Sequence, residues 1–101
     1  MIKLGSTIKY VREAKGLTQR AAARVLGVSD VHLCNLEHDK ARPSADLLKK
    51  MHDEWSIDLY ILSWSLHGDL NRLPKAVRGP MEQLGREWRS EFERQRVLKR
   101  D

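Results

Sequence analysis

The feature that most constrains this chain is a glycine corner at Gly27, set between two segments that each begin with a helix-capping hydroxyl. Thr18 precedes Gln19-Arg20-Ala21-Ala22-Ala23, and Ser29 precedes Asp30-Val31-His32-Leu33. A Thr or Ser in that place accepts a hydrogen bond from one of the free backbone N–H groups that open a helix. Gly27 can take the positive φ that other residues adopt only at a cost, and so ends the first segment. The alanine row leaves only methyl groups between backbones. The chain is thereby committed to two short helices folded tightly on each other between Thr18 and Leu36.

The remaining segments follow the same logic. Leu4, Ile8 and Val11 recur at helical spacing, with Gly5 or Ser6 as the start and Gly16 as the stop. Pro43 forbids continuation of the third helix, and Ser44 caps a fourth carrying Leu47, Leu48, Met51 and Trp55 on one face. Asp58 or Ser56 opens a fifth, running to about Leu66. No apolar run alternates as a strand would. An all-α fold is expected: a five-helix domain over residues 1–68, a connector over 69–79, and a C-terminal helix over 80–101. Gly79-Pro80 reads as the start of that last helix, with Met81, Leu84, Trp88 and Phe92 as its apolar stripe.

Charge narrows the partners. Residues 1–50 carry ten Lys and Arg against five Asp and Glu, whereas residues 51–101 carry nine of each. The whole excess of +5 therefore lies in the half that holds the glycine corner, where a polyanion would dock. No stretch is long and apolar enough for a membrane span, and the first residues lack an apolar signal core. A cytoplasmic protein with no membrane partner is expected. Cys34 is the single cysteine, which excludes an intramolecular disulfide and a cysteine-based metal site. His32 and His38 lie six apart, not the four that place two imidazoles together, so neither a metal nor any other cofactor is expected. Cys34 and His38 are one helical turn apart, but no further group completes a nucleophile. The reading is not an enzyme.

Two short helices across such a corner form a helix-turn-helix, in which the first crosses the DNA backbone and the second enters the major groove. The order of residues sharpens this. Leu4, Ile8, Arg12, Lys15-Gly16-Leu17-Thr18-Gln19, Ala23, Leu26-Gly27-Val28-Ser29, Leu33, Leu36-Glu37, Lys40, Pro43-Ser44 and Leu47 resemble the Cro and lambda-type phage repressors, also called the xenobiotic-response-element family. The resemblance covers about residues 3–66 and implies a five-helix, lambda-repressor-like DNA-binding domain. Three positions depart from it. Ala22 stands where a larger Leu is frequent, Cys34 where a polar residue is usual, and Asp39 where Gly usually follows the third helix. Asp39 is expected to strain its turn.

The resemblance implies that Gln19 contacts the DNA backbone and braces the recognition helix. It also implies that Arg12 and Glu37 form a partly buried ion pair orienting that helix. On the outward face, Asp30, Val31, His32 and Asn35 are the candidate base readers. Asn35 can pair donor and acceptor with adenine, and Val31 can meet a thymine methyl. His32 can donate to a base or a phosphate. Asp30 either accepts from cytosine or serves its own helix N-terminus. Lys9, Lys15, Arg20, Lys40 and Arg42 are candidate phosphate neighbours, with Lys40 and Arg42 the foremost because they directly follow the recognition helix.

The fifth helix has more apolar side chains than one face can bury. Tyr60 and Trp64, with Leu84, Trp88 and Phe92 of the last helix, are assigned to a homodimer seam; the alternative is a last helix folded back over the fifth. A dimer would set two recognition helices on successive major grooves, about 34 Å apart. The function expected is sequence-specific binding of double-stranded DNA by a small transcriptional regulator, a repressor reading paired half-sites. The alternative is an antitoxin or protein-interaction module that also binds operator DNA and grips a protein partner through its C-terminal region.

Overall fold

The computed structural model describes residues 3–98, and the Met1–Ile2 and 99–101 ends of the expected domains lie outside them. The described residues form six α-helices: α1 (Leu4–Ala14), α2 (Gln19–Leu26), α3 (Asp30–Glu37), α4 (Ala45–Trp55), α5 (Leu59–His67) and α6 (Lys75–Leu98), with one 3-10 turn at Leu70–Arg72. No strand occurs among the described residues. α1 starts at Leu4, ahead of the expected Gly5 or Ser6, with Lys3 at its N-cap and no side-chain cap, whereas four other expected caps are in place. Thr18 accepts from Ala21 N, Ser29 from His32 N, Ser44 from Leu47 N and Asp58 from Ile61 N. Gly27 ends α2 at φ 73°, the left-handed conformation its position requires.

One core serves the described residues. Ile8 and Val11 of α1, Leu26 of α2, Leu33 and Leu36 of α3, Met51 and Trp55 of α4, and Leu59 and Leu62 of α5 are buried together. Ala22 and Ala23 are buried at the α2 contacts, so the small residue at position 22 is accommodated without a larger side chain. α1 is the central element, packed on α3, α5 and α6. Its Gly5 meets the C-terminal end of α3 so closely that a Cβ there would overlap the Glu37 carbonyl and lie 2.7 Å from Leu36 O.

The last helix corrects two expectations. It begins at Lys75 rather than Pro80, so the connector is shorter and Pro80 lies inside the helix. Pro74 is the residue that opens it, accepting from Val77 N at 2.9 Å. Pro80 is tolerated because Gly79, with no Cβ, avoids part of the clash that a proline imposes on its predecessor. The Arg78 guanidinium reinforces this end by donating to Leu73 O and Asn71 O at 2.8 and 2.9 Å.

The second correction concerns the apolar stripe. α6 folds back on α1 and α5, and Phe92 is 3% exposed within its own chain. Its ring meets Tyr10 edge-on, with centroids 5.6 Å apart, and the Arg96 guanidinium lies over the Tyr10 ring, 5.5 Å from its centroid. Gly85 packs against Ser65, and Arg89 donates to Ser65 O at 3.1 Å. Phe92 therefore completes the protomer's core and is not available to a dimer seam. Trp88 is partly buried against the same core, whereas Tyr60 and Ile61 of α5 remain exposed.

Candidate nucleic-acid interface

The corner α2–Gly27–α3 is fixed from behind by one polar cluster. Arg12 Nε donates to Glu37 Oε2 at 2.7 Å and its Nη2 to Glu37 Oε1 at 3.1 Å. Arg12 Nη1 reaches Leu17 O at 2.9 Å, directly before the Thr18 cap. Gln19 Nε2 donates to Glu37 Oε1 at 3.1 Å. The Glu37 and Arg12 side chains are only 1% and 11% exposed. Three segments thus meet at one carboxylate, α1, the first turn of α2 and the last turn of α3, and Arg12 ties the loop after α1 to them. A buried ion pair of this kind stabilises only when its remaining donors and acceptors are matched, and here they are.

α3 presents its opposite face outward. Asp30 and Val31 are exposed and His32 and Asn35 half-buried, while Leu33 and Leu36 point into the core. Val31 is 72% exposed on this face, where its methyl groups are free to meet an apolar group such as a thymine methyl. Asn35 O accepts Lys40 N at 2.8 Å, which turns the chain out of α3 and sets Lys40 beside its C-terminal end. Lys40 and Arg42 are both exposed.

The candidate backbone contacts divide. Lys9 lies 3.9 Å from Glu13 on α1, one turn away. Lys15 is half-buried in a groove with Glu54 and Trp55 of α4 and Gln95 of α6, so it faces the C-terminal helix. Arg20 reaches across the corner to Asp30, with Nε and Oδ2 3.4 Å apart. The sequence singled out both residues but did not pair them, because one belongs to each helix. Cys34 Sγ and His38 Nδ1 are 3.6 Å apart, yet Nδ1 also lies 2.8 Å from the Cys34 carbonyl. A carbonyl only accepts, so that bond makes Nδ1 a donor and not a base for the thiol.

Asp39 is the functional residue whose role the sequence does not reveal. It occupies the left-handed region at φ 59°, as the strained turn requires, and its Oδ1 accepts Gly5 N at 2.9 Å. Among the described residues no group of three or more His, Cys, Asp and Glu side chains could hold a metal ion. Among the described residues no helix is long and apolar enough to cross a membrane.

A helix-turn-helix family model matches residues 8–54, and a helix-turn-helix domain is present over that span. Comparison with curated proteins and with solved structures gave no match. The matched span runs from the buried face of α1 to the end of α4 and holds the Arg12–Glu37–Gln19 cluster and all of α3. In a helix-turn-helix the second helix is the one that enters the DNA major groove.

Proposed function

We propose that this helix-turn-helix chain is a sequence-specific repressor of the Cro and lambda type that reads duplex DNA through the major groove. The observation that carries the reading is the outward face of α3. It offers an exposed Val31, a half-buried Asn35 and flanking Lys40 and Arg42, on a helix held rigidly by the buried Glu37 carboxylate. Rigid support matters because base readout depends on hydrogen-bond geometry, which a loosely held helix would blur. The protein acts in the cytoplasm without metal, nucleotide or catalysis. It binds paired half-sites as a homodimer, through the exposed Tyr60 and Ile61 of α5 rather than through Phe92.

A second reading has its own support. Val97 and Leu98 are exposed at the end of α6, and Val77 near its start. An antitoxin-like regulator would use such a helix to hold a protein partner while α3 binds the operator.

Selection of duplexes from a random pool, with a chelator present, tests the first reading. A preferred, two-fold-related sequence is expected. Asn35→Ala should then weaken preferred duplexes by about 1–3 kcal/mol more than unrelated ones. Lys40→Ala should weaken both sets alike and lower the salt dependence by about one ion. The reading fails when no duplex is enriched at low or moderate salt.

A further inference from the structure

We propose that Arg20 reads a guanine in the major groove and that Asp30 is the positioning residue that aims it. The assignment rests on the DNA-binding reading above and names one base of its target. Arg20 is the second residue of α2 and Asp30 the first of α3, so their contact bridges the Gly27 corner. Arg20 Nε lies 3.4 Å from Asp30 Oδ2, with the side chains 75% and 56% exposed. An ion pair so open to solvent contributes little to stability. Its placement gives it another use.

The N-terminal residues of a recognition helix are the ones that reach base edges. A guanidinium held on Asp30 is therefore held at that depth. Alone, the Asp30 carboxylate would match only the cytosine amino group, and phosphates and purine acceptors would repel it. Arg20 reverses the sign of the charge presented there. The guanidinium is a planar fork of five N–H donors. Engaging Nε on the carboxylate leaves the Nη1–Nη2 end directed away from Asp30. That end offers two N–H groups side by side. Among the major-groove base edges, guanine alone presents two adjacent acceptors, O6 and N7; adenine sets a donor beside its N7, and thymine has a single acceptor. Lysine, a point charge without a fork, cannot substitute.

The test compares the unaltered protein with Arg20→Ala, Arg20→Lys and Asp30→Ala on every single base-pair variant of the selected half-site. One G·C position is expected at which Arg20→Ala erases a preference of about 5- to 150-fold while other positions keep theirs. Arg20→Lys should not restore it. Asp30→Ala should weaken preference at that same position, a readout that a merely structural role would not move. Both side chains are exposed, so thermal melts followed by circular dichroism should stay close to that of the unaltered protein. Uniform weakening of all duplexes by Arg20→Ala, with the salt slope lower by about one, would make Arg20 a phosphate contact and overturn the assignment. Loss of preference at a different position in Asp30→Ala would make Asp30 itself the reader, with the same consequence. Failure of the unaltered protein to select any duplex would refute the DNA-reading premise, and the assignment with it.

Discussion

Asp39 Oδ1 accepts the backbone N–H of Gly5 at 2.9 Å, so a residue of the turn after α3 caps the start of α1. The helix needs this help, because Lys3 at its own N-cap makes no side-chain hydrogen bond. The carboxylate also lies at the positive end of the α1 dipole. Asp39 adopts φ 59°, a conformation that glycine takes without strain and aspartate tolerates better than most. Cap and strain oppose each other at one position. Asp39→Ala keeps the strain and loses the cap, and should cost about 1–2 kcal/mol. Asp39→Gly relieves the strain and should cost less than the alanine change. Urea unfolding of the two variants ranks them; equal losses would mean that strain is unimportant there.

The Glu37 carboxylate should be the least replaceable polar group in the domain. Glu37→Leu leaves the Arg12 guanidinium, itself 11% exposed, buried without its counter-charge. Removing one partner of such a pair costs about 3–5 kcal/mol. Gln19→Ala removes a single neutral donor while Arg12 continues to hold both carboxylate oxygens, so about 1 kcal/mol is expected. A denaturant series on Glu37→Leu, Arg12→Met and the double variant measures the coupling. Additive losses would show that the pair does not act as a unit.

Tyr10 sets an alkaline limit. Burial, and then the neighbouring Glu93 carboxylate, raise its pKa above the usual phenol value of 10.0, with Arg96 and Arg89 opposing. Its hydroxyl faces Glu93 Oε1 at 3.5 Å. The folded state holds the phenol proton more tightly than the unfolded chain. The resulting stability is fully present below pH 10 and is lost as pH rises through the higher folded value. Tyr10→Phe keeps the edge-on contact with Phe92 and removes the titration. Melting temperatures from pH 8 upward should fall less steeply for the variant; parallel curves would exclude Tyr10 as the cause.

Much of the fold is legible because its signals are local. Thr18, Ser29, Ser44 and Asp58 each stand directly before an apolar run of helical period, and each caps the helix it announces. The Arg12–Glu37 pair came from family resemblance, since 25 residues separate the partners and spacing alone does not join them. The Asp39–Gly5 cap spans 34 residues and carries no comparable signal. Gly79-Pro80 imitates a helix start, while the true opening at Pro74 lies in a polar stretch. Phe92 was ambiguous in principle. A stripe at helical spacing has the same pattern whether its partner is its own chain or another copy.

That ambiguity now separates into opposite expectations for two aromatic residues. Phe92 is buried within one chain, against Tyr10, and Phe92→Ala should remove about 3–5 kcal/mol of stability without changing the mass of the species at a given concentration. Tyr60 is 48% exposed beside Ile61 on α5, and truncating the pair leaves the protomer core intact. Tyr60→Ala with Ile61→Ala should therefore lower the melting temperature little. In a homodimer joined at α5 it should shift sedimentation toward monomer and weaken two-half-site DNA more than a single half-site, because linkage of the two reading helices is lost. A change in mass caused by Phe92→Ala with no change in stability would reverse the assignment and return α6 to the subunit seam. An unaltered protein that sediments as a monomer while saturating its operator would exclude a preformed dimer through either helix.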